Sequence, residues 1–378
     1  MDFALSDEQE LLKKEARRFF DSEFPKKLVG ELQESELGYS PEVWRKMASL
    51  GWLGLVIPEE YGGIGGTLLD LGVLFEEIGK TACPSPLFAT IAFGALPLLG
   101  AGNEEQKRQL LPRMVSGDLI LTMALSEPEA DYQPKFMTTR AQREDGCFSV
   151  TGTKLFVPYA HVADIILVVT ATSPIDDDGK GTTVFLVPKE AEGVGLVPLE
   201  TVGRDKQFEV TFNSVQVSPP DTLGAVGGGW PVVEITLQKA TAIQCVETVG
   251  VMQQQLAMTA EYTSNRVQFG RPIGSFQAVQ HRLADMLTDV EGARWLSYRA
   301  LSQLSDGLPA QREVAIAKAW VSNACQRVAY AAQHLHGGIG MDLDYDLHFY
   351  FEWAKARQLS LGPTPYHLAS IEPTIRSS

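Results

Sequence analysis

Two changes of residue period along this chain limit the folds open to it. Up to about residue 120, apolar side chains recur at helical spacing. Ser6 and Gln9 form a capping box ahead of Leu11, Leu12, Ala16, Phe19 and Phe20, and SPEVWRKMASLGW, TLLDLGVLFEEIGKT and NEEQKRQLLPRMVSG continue the pattern. The Gly-rich EEYGGIGG and the proline-containing CPSPL interrupt it. From residue 121 the period shortens. CFSVTGTKLFVP, ADIILVVTAT, GTTVFLVPK and QFEVTFNSVQVSP are short, rich in Val, Thr and Phe, and separated by turn residues such as DDDGKG. After the linker GAVGGG at 224–229, helical periodicity returns, with Phe276, Val279, Leu283, Met286, Leu287 and Val290 on one broad stripe.

This succession predicts an α+β protein in three parts: an N-terminal helical domain over 1–120, a central β-sheet or small-barrel domain over 121–228, and a C-terminal four-helix bundle over 229–378. A Rossmann fold is excluded because strands and helices do not alternate. EEYGGIGG lacks a strand before it and a helix opening on it, so it reads as a turn rather than a dinucleotide fingerprint.

Charge narrows the partners. The 378 residues carry 32 Lys and Arg against 47 acidic side chains, a formal net charge of -15, with no dense basic block. Nucleic acid and anionic membrane surfaces are poor partners for such a field. A small anionic ligand is compatible with it, since a few arginines and helix N-termini suffice to hold a phosphate. Cys83, Cys147, Cys245 and Cys325 are widely spaced, with no C-x-x-C and no metal-like cluster, and read as reduced thiols. MDFALSDEQELLKKEARRFF lacks the basic-then-apolar order of a secretory signal, and no apolar run reaches the ~18 residues of a membrane span. A cytoplasmic protein is expected.

Four passages carry a resemblance: LTMALSEPEA at 121–130, GTKLFVPYAHVAD at 152–164, NRVQFGRPIGSFQAVQHRLADM at 265–286 and QHLHGGIG at 333–340. In this order, and across essentially the whole chain, they resemble the acyl-CoA dehydrogenase family. That resemblance implies FAD held between subunits and oxidation of the Cα–Cβ bond of an acyl thioester, with a carboxylate taking the α proton and hydride leaving to the flavin. An α proton beside a thioester is poorly acidic, so the reaction needs a placed base and hydrogen bonds that strengthen as enolate charge develops.

The resemblance assigns cofactor contacts residue by residue. Arg266 and Phe269 match positions reaching the diphosphate and adenine side of a cofactor held mainly by the neighbouring subunit, and a guanidinium suits paired phosphate oxygens. Gln277 belongs to the same half-site. Gly337 and Gly338 match a glycine pair that admits the adenosine diphosphate portion, and His334 stands where the family has a glutamine. His336 reads as a packing residue. On the flavin-ring side, Leu125 and Ser126 are expected to bring a backbone donor and a hydroxyl towards the ring edge, and Phe156 replaces the family's tryptophan against it.

Other positions depart from the pattern. Asp131, Tyr132 and Gln133 replace the glycine, serine and aspartate that follow the family's Ser-Glu-Pro, and Pro158 replaces a threonine beside the flavin, offering neither hydroxyl nor N–H. The usual position of the catalytic glutamate falls on Leu361, and the alternative on the first long bundle helix falls on Ala240, with Thr241 in place of a supporting arginine. Glu247, two turns after Ala240, is the one substitute nearby, about 10 Å along the helix.

What survives is the set of residues a subunit lends to its neighbour's cofactor, and what is missing is the base. This resembles the glutamate-lacking subunit of heteromeric, steroid side-chain type acyl-CoA dehydrogenases. It implies an α2β2 complex with a homologous subunit carrying the glutamate, a bulky or cyclic acyl-CoA substrate, and an electron-transfer flavoprotein or similar acceptor. Three alternatives stay open: a self-sufficient homo-oligomer with a displaced base, another flavin reaction grafted on the fold, and a non-catalytic structural or regulatory paralogue.

Overall fold

The computed structural model describes residues 5–128 and 133–376, with side chains up to residue 371. Helices α1 (Asp7–Glu23), α2 (Lys26–Glu34) and α3 (Pro41–Ser49) are followed by α4 (Leu68–Thr81), α5 (Leu96–Ala101) and α6 (Glu104–Val115). Their starts follow local chemistry. The Ser6–Gln9 box caps α1, and equivalent boxes at Thr67–Asp70 and Asn103–Gln106 cap α4 and α6, each satisfying otherwise unpaired N–H groups. Beyond CPSPL the chain takes a π-helical course over Ala89–Ala95, where Leu96 N–H reaches back to Ile91 O just before Pro97, which has no N–H to give.

Eight strands follow: β1 (Leu121–Ala124), β2 (Arg140–Glu144), β3 (Cys147–Pro158), β4 (Ile165–Ala171), β5 (Thr182–Pro188), β6 (Val194–Leu199), β7 (Gln207–Val217) and β8 (Thr222–Leu223). They pair in the order β6-β7-β3-β2-β4-β5-β8, with β1 parallel to β4. Among the described residues the strands form a mixed sheet, the first of the two forms expected for this part. The β3–β7 register slips at Gly152 and again between Lys154 and Val157. The second slip puts Phe156 in the left-handed region at φ 54.

The C-terminal part consists of α7 (Trp230–Asn265), a hairpin of β9 (Val267–Gln268) and β10 (Arg271–Pro272), then α8 (Gln277–Ser305), α9 (Gln311–His336), α10 (Leu347–Leu359) and α11 (Thr364–Arg376). Helices α7 to α10 pack as the bundle, and α11 lies on α9. Of the expected stripe on α8, Met286 and Val290 are buried whereas Leu287 is exposed. None of the described helices is long and apolar enough to cross a membrane.

The helical parts at the two ends of the chain share one core, in which Phe20, Leu71, Leu74 and Phe75 pack with Val246, Val249 and Leu301. Two glycines allow this. A Cβ on Gly79 of α4 would lie 1.9 Å from Glu247 O, and one on Gly250 of α7 would lie 2.0 Å from Glu76 O, so the two helices cross with their backbones in contact. Glu76 faces the same crossing and is held by Arg294 and by Tyr298 Oη, the latter at 3.0 Å.

Candidate functional site

A cavity of about 480 Å³ opens where α4, the segment after it, strands β1 and β3, α7 and the end of α10 meet. Its size is that of a small-molecule pocket. Most of the wall is apolar. Phe75 and Ile78 come from α4, Leu87 and Phe88 from the following segment, and Leu237 from α7.

The structure divides the expected cofactor residues into two groups. Leu125, Ser126 and Phe156 line the cavity, together with Pro158. Their segment is held by a buried ion pair: Lys154 Nζ donates to Glu127 Oε1 at 2.7 Å and to Leu125 O at 3.1 Å, while Glu127 also accepts from Thr138 N and Thr139 N. Burial alone would raise the Glu127 carboxyl, but Lys154 and the Thr139 and Thr138 donors outweigh it and bring it down to about 2. Glu127 of the LSEP motif is thus a structural brace. Asp131 and Tyr132 lie outside the described residues, and Gln133 sits just before the short turn Pro134–Phe136.

Arg266, Phe269, Gln277, His334, Gly337 and Gly338 form the second group; they are exposed and take no part in the cavity wall. Phe269 is 92% exposed at the tip of the β9–β10 hairpin and, with Gly270, has positive φ. Two φ > 0 residues make the tight turn that a two-residue hairpin requires. Gln277 opens α8 without capping it. Gly337 has φ 66, and a Cβ on either Gly337 or Gly338 would meet nothing within 4 Å. The need for glycine there is therefore conformational at Gly337, and any crowding at the pair must come from outside this chain. His336 is a packing residue: its Nδ1 lies 2.8 Å from Ala332 O, its Nε2 3.1 Å from Tyr345 Oη, and its ring stacks on Tyr262. That stack joins the C-terminal ends of α7 and α9, so the hairpin and the glycine pair lie at one end of the bundle.

Neither expected base position holds an acid. Leu361 lines the cavity in a left-handed conformation, φ 56, with its carbonyl 2.8 Å from His367 Nε2. Ala240 is fully buried and absent from the cavity wall, and Thr241 is buried beside it. Glu247 does reach the cavity, 2% exposed, with Oε1 accepting from Arg357 Nη2 at 3.2 Å. Burial raises its carboxyl above the ordinary range and Asp205 adds to this, with Arg357 opposing. Arg357 also lies 3.7 Å from Asp205 and over the Trp353 ring.

Several polar residues of the wall were not singled out from sequence. Gln244 Oε1 accepts from Ser360 Oγ at 3.0 Å and from Lys318 Nζ at 3.2 Å, and Lys318 Nζ also donates to Arg357 O at 2.5 Å. Lys318, within the apolar AIAKAWV, was the available signal, because a lysine inside a buried helical face needs partners. Arg357 reads from sequence as an ordinary cation in the last turn of a helix.

Three family descriptions match consecutive parts of the chain: acyl-CoA dehydrogenase N-terminal domain over 6–118, middle domain over 122–215 and C-terminal domain over 227–375. The chain belongs to the acyl-CoA dehydrogenase family. Among curated relatives, acyl-CoA dehydrogenase FadE27 of Mycobacterium tuberculosis is 34% identical over 349 residues, 90% of each chain. Among solved structures, the Tcur3481-Tcur3483 steroid ACAD matches with a TM-score of 0.88 and 33% identity over 98% of each chain. A chain of the ChsE4-ChsE5 complex from Mycobacterium tuberculosis matches with a TM-score of 0.91 and 31% identity over the whole of both chains. An FAD complex of PigA shares the architecture, with a TM-score of 0.91 and 26% identity over 100% of this chain and 99% of that one.

Proposed function

We propose that this acyl-CoA dehydrogenase chain is the base-lacking subunit of a two-component, FAD-dependent enzyme that introduces a Cα–Cβ double bond into a bulky acyl-CoA of polycyclic or steroid side-chain type. The observation that carries the reading is Leu361 in the cavity wall with Ala240 packed in the core, which leaves both family base positions without a carboxylate. The carboxylates that do reach the wall do not replace them. Glu247 is engaged by Arg357, Asp205 accepts from Thr201 and Gln207, and Glu200 is exposed. The similarity to a steroid ACAD and to a two-component complex supports the substrate class and the mixed assembly.

The surviving residues fit one half of an FAD site. Arg266 at the end of α7 and Phe269 at the hairpin tip are exposed, and the backbone at Gly337 and Gly338 has open space before it, which suits a diphosphate and an adenine ring held largely by a neighbour. The inner wall fits the flavin end less well: Phe156 offers an aromatic face, but Pro158 donates nothing. When bound, FAD supplies the acceptor for the β hydride. In this reading the chain's own part is to bind the diphosphate through Arg266 and admit the adenosine portion at the glycine pair, while a homologous subunit in an α2β2 complex supplies the glutamate. An electron-transfer flavoprotein or similar carrier then takes the electrons.

Co-expression with a homologous, glutamate-bearing subunit tests this directly, with FAD per complex and turnover of acyl-CoA esters as readouts. The mixed complex is expected to retain FAD and oxidise bulky acyl-CoA, and the chain alone to be inert. Turnover by the chain alone would overturn the reading. One observation favours a second reading, with Glu247 as a displaced base: Glu247 belongs to the cavity wall, and its buried Oε2 has no hydrogen-bond partner among the described residues. Under that reading the chain alone is active and Glu247→Gln abolishes the activity.

A further inference from the structure

The turn between β6 and β7, residues 200–206, lies against α2 and α10, and its Glu200, Thr201, Val202, Gly203, Arg204 and Asp205 belong to the cavity wall. Val202 is its one large apolar side chain and is half exposed. What holds the turn is polar. Arg204 Nε lies 3.1 Å from Glu352 Oε2 of α10 and its Nη2 3.4 Å from Oε1, while Nη1 reaches Glu34 Oε1 of α2 at 3.0 Å. Lys206 Nζ donates to Gln33 O at 2.9 Å. Both cations thus sit at the C-terminal end of α2, whose last turn carries no basic residue of its own and whose dipole favours positive charge there.

Two features make this contact separable from the rest of the fold. The turn is closed on itself, since Arg204 N–H donates to Thr201 O at 3.2 Å and Thr201 Oγ1 to Asp205 Oδ1 at 2.7 Å, so it can leave the helices as one piece. Arg204 also holds φ 52, a left-handed conformation that residues other than glycine rarely adopt, with its side chain spread between two helices. The approach to α10 is made at Gly203, where a Cβ would lie 2.7 Å from Ala356 Cβ, a contact of small groups. Ion pairs between partly exposed side chains are weak singly and are screened by salt, and a guanidinium forked between two carboxylates is their favourable case. With little apolar area beneath the turn, those pairs decide whether it stays down.

We propose that this turn is an ion-latched gate: residues 200–204 close one side of the cavity while Arg204 bridges Glu34 and Glu352, and they swing away to admit small solutes when those pairs are broken. The helices need not move. The gate governs entry to the cavity and not what is bound there, so it stands or falls apart from the proposed function. Ionic strength is the condition it responds to.

Cysteine labelling reads the gate, with the purified chain, N-ethylmaleimide as the probe and mass spectrometry of the modified peptides. Cys83 lines the cavity, is 3% exposed, and has its thiol held well above its ordinary value by burial, so it reacts when the cavity opens. Cys245 and Cys325 are fully buried outside the cavity wall and report global unfolding. Arg204→Met keeps the aliphatic stem and removes the charge. Cys83 is expected to react about tenfold faster in this variant, with Cys245 and Cys325 unchanged. In the wild type, about 0.5 M NaCl should speed the Cys83 reaction about threefold over about 0.05 M, and the variant should lose that dependence. The wild-type salt series decides by itself if the variant folds poorly. A Cys83 rate that is unchanged in Arg204→Met, that rises only together with Cys245 and Cys325, or that ignores salt in the wild type overturns the gate.

Discussion

Lys154 Nζ lies 2.7 Å from Glu127 Oε1 with both side chains wholly excluded from solvent. The pair ties β3 to the segment carrying Leu125 and Ser126, so the cavity wall depends on it. Lys154→Met would leave a buried carboxylate without its counter-charge and is expected to destabilise the chain by about 3–5 kcal/mol. Urea unfolding at pH 7 measures this, and a loss below about 1 kcal/mol would contradict the bracing role. The Glu127 contribution is present in full above its unfolded value of 4.5 and is lost as pH falls through about 2.

A separate acid limb belongs to the histidines. Burial holds His336 below its ordinary value of 6.5 and brings His367 down to about 4. The unfolded chain takes up these protons near pH 6.5 and the folded chain does not, so the stabilisation is complete above 6.5 and declines as pH falls towards 4. The urea midpoint should drop measurably between pH 7 and pH 5, and His367→Gln should flatten part of the drop. A midpoint that stays level over that interval would show that neither ring is held neutral.

The α4–α7 crossing has no room for a methyl group. Gly250→Ala places a Cβ 2.0 Å from Glu76 O, with backbone on both sides, and should cost about 3 kcal/mol or more. Gly62→Ala tests the contrast between crowding and conformation, since Gly62 has φ 85 and open space around it. Only the strain of its positive φ is expected there, about 1–2 kcal/mol. Thermal unfolding of the two variants should rank them in that order.

The outward-facing residues should report on cofactor and not on folding. Arg266→Ala and Phe269→Gly change exposed positions, and the second relieves a phenylalanine at φ 54. Stability of the isolated chain should stay within about 1 kcal/mol for both. In the mixed complex, FAD retention after gel filtration should fall about tenfold for Arg266→Ala and by a smaller factor for Phe269→Gly. Unchanged flavin content in both would remove the hairpin from the cofactor site.

The sequence by itself determined the order of structure and which residues stand at the two positions where the resemblance expects the base. Capping boxes at Ser6 and Thr67 and the Val/Thr-rich runs from 147 onward act over a few residues, so their signals are written locally. The leucine at 361 and the alanine at 240 are likewise matters of residue identity. Tertiary structure alone decided which residues face the same space. Glu247 and Arg357 are 110 residues apart and meet across α7 and α10, Lys318 reaches both Gln244 and the Arg357 carbonyl, and the residues expected at the cofactor separate into cavity wall and outer edge. No local period encodes such pairings. They arise because α7, α9 and α10, packed on one another, must bury whatever polar groups lie at their contacts, and those groups must then find partners in one another.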